Sequence, residues 1–362
     1  MTSPGRGFRI LLFVSALSFL AACGPSPEKR DIIFTSSRDG VQDLYTMRPD
    51  GSNVRRLTFT ESEGPGKPGH RFTSFGTWSQ DGSQVAFASD RVWSEVDDGK
   101  PRESDIFVMD SDGANLRRLT SDPGRDMAPD FSPDGRSIAF TSERDGNPEI
   151  YIVGVDGSAP RRLTESAAAE LFPDWHPAGD RILFEARDRQ GLRGLFDMAL
   201  DGSGLRHLAV GRRGRWSPDG ERVAFGAARC EVGSADGALD PAPLSWDQMV
   251  DRCEREGTGP LGIYVLQVAT GHLDRVFPPA PGYQEIQAPD GGASSRVPGG
   301  LEPVWSPAGN RLLFHFGREG RDTEPFRDTC CRDMEIFSIG LDGGDLRALT
   351  WNLVFDGHMR WW

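Results

Sequence analysis

One unit recurs along the chain, and that repeat limits the fold more tightly than any composition figure. A complete copy reads Pro129-Asp130-Phe131-Ser132-Pro133-Asp134-Gly135, then Ile138-Ala139-Phe140, Ile150-Tyr151-Ile152-Val153, Asp156-Gly157 and Arg162-Leu163-Thr164. Its opening aromatic and following turn return at Trp78, Trp175, Trp216 and Trp305. The second run returns as Val85-Ala86-Phe87, Ile182-Leu183-Phe184, Val223-Ala224-Phe225 and Leu312-Leu313-Phe314. The third returns as Ile106-Phe107, Leu195-Phe196, Ile263-Tyr264 and Ile336-Phe337. The unit closes at Leu119-Thr120, Leu208, Val276 and Leu349-Thr350.

Short β-branched and aromatic runs of this kind are strands. Asp-Gly between them supplies the positive φ angles of a tight hairpin, and Pro presets the first turn. Four antiparallel strands with no helix between them make a propeller blade, which buries both its faces only by stacking on neighbours. Two fragments flank the five whole units. Ile32-Ile33-Phe34, Leu44-Tyr45, Asp50-Gly51 and Leu57-Thr58 supply strands two to four of a further blade, and Met359-Arg360-Trp361 supplies only a first strand. The sequence therefore predicts an all-β, six-bladed β-propeller over residues 31–362. Its ring is expected to close by pairing the N-terminal strands with a C-terminal strand, leaving no open sheet edge at the junction.

On these motifs the chain resembles the TolB-like family of propellers, from residue 31 to residue 362. The resemblance implies the fold and leaves the activity broad, because one scaffold serves several functions. TolB proteins carry an α/β domain ahead of the propeller. Here only Gly24 to Arg30 is expected between the anchor described next and the first strand, so that domain's docking role is not expected.

Residues 1–22 have the layout of a signal peptide. Arg6 and Arg9 precede a 13-residue apolar run, Ile10 to Ala22. A membrane span needs about 20 residues, whereas a signal peptide's central region fits this length. The run ends in Leu20-Ala21-Ala22-Cys23-Gly24, which resembles a bacterial lipobox. That resemblance implies acylation of Cys23, with residues 23–30 as a lipidated N-terminus and short linker. Acyl chains would hold the protein to a bacterial envelope membrane. Gly24, by resemblance to enterobacterial sorting, implies the outer membrane, facing the periplasm.

Extra chain is concentrated between strands two and three. From the strand-two Phe to the start of strand three the spacing is 10, 10 and 11 residues in three units, but 19, 38 and 22 in the others. The insertions lie near 90–104, 228–260 and 317–333, on the propeller face that also carries the inter-blade loops. Long loops on a rigid scaffold commonly carry function. Trp93, Trp246 and Phe326 are therefore candidate binding-face residues. Ser245 and Gln248 have capping-box spacing, which predicts a short helix beside Trp246. The long loops carry 17 acidic and 10 basic residues, an excess that favours basic partners. The net charge of −13 argues against nucleic acid, which needs a basic face.

Beyond Cys23 the cysteines are Cys230, Cys253, Cys330 and Cys331, and no Cys-x-x-Cys occurs. An exported protein keeps disulfides. Adjacent Cα atoms are about 3.8 Å apart, below the disulfide range, which disfavours Cys330–Cys331. Two cross-loop pairings remain if all four are oxidised. Cys230–Cys253 within one insertion is the rival. The cross-loop staple is the expectation, because it would order two insertions together.

No catalytic or metal-ligating constellation stands out, and no cofactor is expected. Among the six histidines there is neither i, i+4 spacing nor His-Glu-x-x-His, and no Gly-x-Ser-x-Gly occurs. His176 and His315 have structural positions in the repeat. Asp110-x-Asp112-Gly113 reads as a hairpin turn, since a calcium loop needs further oxygen ligands. The expected function is an envelope-anchored binding or scaffolding lipoprotein that docks a protein, peptide or glycan. The alternative is a propeller enzyme such as a polysaccharide lyase. It would require His, Gln and Arg converging in the central channel.

Overall fold

A computed structural model describes residues 31–59, 72–90, 104–158, 160–187, 193–228, 261–277, 302–317, 334–352 and 355–361. Those residues form 24 strands and no helix, arranged as six four-stranded antiparallel sheets. Blade 1 combines β1 (Ile32–Ser36), β2 (Asp43–Met47) and β3 (Arg55–Arg56) with β24 (Asp356–Trp361). Blade 2 holds β4 to β7 (Thr73–Trp78, Gln84–Ser89, Asp105–Asp110, Arg117–Arg118). Blade 3 holds β8 to β11 (Asp126–Phe131, Ser137–Ser142, Glu149–Gly154, Arg161–Arg162). Blade 4 holds β12 to β15 (Ala169–Trp175, Arg181–Arg187, Arg193–Ala199, Arg206–Val210). Blade 5 holds β16 to β19 (Arg212–Trp216, Arg222–Ala228, Leu261–Gln267, His272–Phe277). Blade 6 holds β20 to β23 (Val304–Trp305, Arg311–Gly317, Met334–Gly340, Arg347–Ala348).

The expected closure is present. β24 pairs antiparallel with β1, Ile32 opposite Trp361 and Ser36 opposite Asp356. Arg38 Nη2 donates to both Asp356 carboxylate oxygens at 3.0–3.1 Å and fastens the same junction. The first strands β24, β4, β8, β12, β16 and β20 contact one another in order around the axis.

The repeat's aromatic positions meet in register. Phe34, Phe87, Phe140, Phe184, Phe225 and Phe314 lie opposite Tyr45, Phe107, Tyr151, Phe196, Tyr264 and Phe337 in the neighbouring strand. Ring centroids in these six pairs are 5.7–6.1 Å apart. Each such pair adds stabilisation beyond its buried area. The core is divided among the blade junctions, and each apolar cluster draws residues from two adjacent blades.

The turn motif has a local cause. Ser132 Oγ accepts the Ser137 N–H at 2.9 Å and donates to Asp134 at 2.6 Å. Asp134 accepts the Arg136 N–H, and Gly135 takes φ +68, a conformation glycine adopts without penalty. The unit's closing Leu-Thr lies just past the short fourth strand in blades 1, 2, 3 and 6. There Thr58, Thr120, Thr164 and Thr350 accept the N–H of Leu44, Ile106, Ile150 and Ile336 at 2.9 Å. Asp112 accepts the Ala114 N–H, the hairpin role read from the sequence.

Candidate functional site

The six first strands meet on the axis, and the register is irregular at five of them. Ladder register slips at Ser74/Thr77, Met127/Asp130, Leu171/Asp174 and Arg212/Arg215, with a matching irregularity opposite β24. These are β-bulges, which re-aim a side chain. At the bulges Phe75, Ala128, Phe172, Arg213 and His358 hold positive φ values of 47–57°. Such values are uncommon for non-glycine residues and persist where surroundings enforce them. In blades 4 and 5 the bulged N–H is held from the preceding blade. Phe172 donates to Thr141 Oγ1 at 3.0 Å, and Arg213 donates to Glu185 Oε2 at 3.1 Å.

Glu302 takes the equivalent place in blade 6, and a closed circuit results. Arg213 lies over the Phe172 ring, 3.3 Å from its centroid, and pairs with Glu302 at 2.6 Å. Glu302 meets His358 Nδ1 at 3.1 Å, and His358 lies 4.1 Å from Phe75 between ring centroids. Phe75 and Phe172 complete the loop at 6.2 Å, across the small Ala128. Although burial pushes the Glu302 carboxyl up, Arg213 and then His358 hold it well below the usual range. His315 sits beneath this girdle, 3% exposed and 6.3 Å from His358. Burial lowers its imidazole to about 4.

Two residues farther along each first strand stands a second ring: Thr77, Asp130, Asp174, Arg215, Val304 and Arg360. All six line a cavity of about 490 Å³ at the axis. Pro133, Pro177, Pro218 and Pro307, from the turns between first and second strands, form its rim. Asp130 accepts the Trp175 N–H and Asp174 the Trp216 N–H, both at 2.8 Å, so each carboxyl caps the next blade's strand. Arg215 approaches Asp174 at 3.5 Å. Burial, then repulsion from Asp174, pushes Asp130 up to about 7. Burial, then Arg215, lowers Arg360 to about 10. The girdle lies two residues farther from the proline rim along the same chain segments.

Residues 101–234 match the Tricorn protease N-terminal beta propeller domain. A TolB homolog of Chlorobium luteolum is 30% identical over 144 residues, covering 33% of this chain and 33% of the relative. TolB of Bordetella pertussis is 51% identical over 47 residues, covering 13% and 11%. The crystal structure of TolB from Acinetobacter baumannii aligns with a TM-score of 0.62 at 18% identity, over 93% of this chain and 67% of that one. The putative TolB from Agrobacterium tumefaciens gives 0.54 at 16% identity, over 92% and 98%. The propeller is TolB-like. In sequence, the matched stretches span about a third or less of these curated relatives.

Cys23, Cys230, Cys253, Cys330, Cys331, Trp93, Trp246 and Phe326 lie outside the described residues, as do the expected helix near Trp246 and most of the three insertions. Within the described residues, the cavity of the TolB-like propeller opens on the face of the short turns, opposite the one that the insertions favoured. Sequence reasoning passed over the second ring, although Asp130 and Arg360 stand in the quoted motifs and Asp174 directly precedes the opening Trp175. The available signal was the residue before each opening aromatic, whose charge changes from copy to copy. Two scattered histidines, His315 and His358, are neighbours in space. Among the described residues, no group of three or more His, Cys, Asp and Glu could hold a metal ion.

Proposed function

We propose that this chain is an envelope-anchored binding module whose TolB-like propeller docks a protein partner at the rimmed mouth of its channel. One observation carries the reading. The 490 Å³ cavity at the axis is lined by charged side chains and rimmed by proline rings. Its size falls within the usual range of ligand sites, roughly 300–1,000 Å³. A recess of this kind fits a protruding segment of a partner. Anchoring through acylated Cys23, in the outer membrane and facing the periplasm, belongs to the same proposal. The partner is then an envelope protein. The Bordetella relative is a Tol-Pal system protein TolB, which agrees with a role in an assembly.

Capture from detergent-solubilised envelope tests the docking site. Immobilised wild-type protein should retain a partner that Thr77→Phe, which fills the recess, does not. Equal retention by both, with unchanged melting of the variant, would move docking elsewhere on the disc.

A second reading, a lyase in the channel, gains from one observation: Arg213, His315 and His358 converge from separate blades. Both Glu302 oxygens are already taken by Arg213 and His358. Stoichiometric manganese or calcium in purified protein would favour this enzyme reading.

A further inference from the structure

We propose that the recess is a carboxylate receptor, in which Arg360, backed by Arg215, binds an acidic group on an extended peptide of the partner. This rests on the docking site proposed above and adds the chemistry of what enters it.

The hydrogen-bond inventory of the floor leads there. Each of the two acids is committed to the scaffold, Asp130 to the Trp175 N–H and Asp174 to the Trp216 N–H. Arg215 leans on Asp174 at 3.5 Å. Arg360 feels Asp130 and Asp174 through space, but among the described residues it hydrogen-bonds to neither. Among the described residues it makes no ion pair; its Nη1 donates to the Met359 carbonyl at 3.3 Å, and its buried Nε has no hydrogen-bond partner. A guanidinium carries five donors in a planar fork that matches a carboxylate. An unmatched buried donor costs more than a solvated one, so an incoming acceptor is rewarded.

The net charge points the same way. Glu302, the girdle's acid, is already matched by Arg213 and His358. Of the two floor acids, Asp130 holds its proton to about pH 7. Arg215 and Arg360 therefore outweigh the ionised acids near neutrality.

Peptide fits the recess better than sugar. Of the five tryptophans lining it, Trp175, Trp216 and Trp305 are 5–8% exposed and packed between blades, so they offer no open stacking face for a glycan, and Trp78 and Trp361 are half-buried against core clusters. The rim instead presents edges and proline rings, which suit a narrow extended chain.

The carboxylate could be a chain terminus or an Asp or Glu side chain, and three probes separate them. N-acetyl-Ala-Pro-Ala with a free C-terminus, its C-terminal amide, and N-acetyl-Ala-Glu-Ala amide are titrated against the full chain, followed by tryptophan fluorescence. Saturable binding is expected for the first, the third or both, and at least about tenfold weaker binding for the simple amide. The same loss is expected for Arg360→Gln. Arg360→Lys should recover it only in part, since an ammonium lacks the fork. Should Arg360→Gln fail to fold, Thr77→Glu places a competing acid in the same ring and should weaken the acidic probes similarly. An amide binding as tightly as the acids, indifference to both substitutions, or no binding of any probe would overturn the carboxylate receptor. Envelope capture that Thr77→Phe abolishes would still stand in that case, so the two ideas fail separately.

Discussion

Asp174 does at residue scale what a strand cannot do for itself. Its Oδ2 satisfies the Trp216 N–H across a blade junction, and its Oδ1 faces Arg215. Asp174→Ala strands a buried donor and a buried cation together, and should cost about 3 kcal/mol in chemical denaturation. Asp174→Asn keeps an acceptor and should cost clearly less. Equal losses would mean that the cap is not what stabilises the junction. A second residue-scale prediction concerns pH. Burial, then a hydrogen bond with Glu149, pushes the Glu170 carboxyl up to about 7. An unfolded glutamate titrates at about 4.3. The folded protein thus binds this proton more tightly, and its stabilising effect fades as pH rises from about 4 to 7. His315 acts oppositely: its lowered value, about 4, takes stability away as pH falls below its ordinary 6.5. Comparing Glu170→Gln with the wild type isolates the carboxyl. The variant's stability should fall less across pH 4–7, and parallel curves would refute the assignment.

At the scale of elements, β24 is the test case. It supplies Asp356 to Arg38 and buries Met359 completely between blades 6 and 1. Deleting residues 357–362 exposes the β1 edge and empties that packing, so the melting temperature should drop by about 10 °C or more. A ring that melts unchanged would not depend on this closure. The pairing was legible in sequence because each fragment alone lacks strands that the other has. The strand-two phenylalanines were legible as well, since their alternation is set by which face is buried. The bulges were not. Phe75 and Phe172 carry no local preference for positive φ, and neighbouring blades impose it. The charged ring was equally hidden, because Asp130, Asp174, Arg215 and Arg360 acquire a shared meaning only when the strands carrying them converge on one axis.

At the scale of the whole molecule, anchoring remains the proposal that most affects where the protein works. Cys23→Ser should release the protein from washed membranes into the soluble fraction. Persistence in the membrane pellet after a salt wash would show that something other than a lipid holds it.

Ring closure has a geometric corollary. Because Ile32 lies opposite Trp361, and Trp361 lines the cavity, the chain enters the disc at the rim of the mouth. Nine Cα–Cα steps separate Cys23 from Ile32, a leash of roughly 30 Å at full stretch. With acyl chains on Cys23, as proposed, such a leash would keep that rim within a few nanometres of the bilayer. A partner reaching the mouth would then have to work close to the lipid surface.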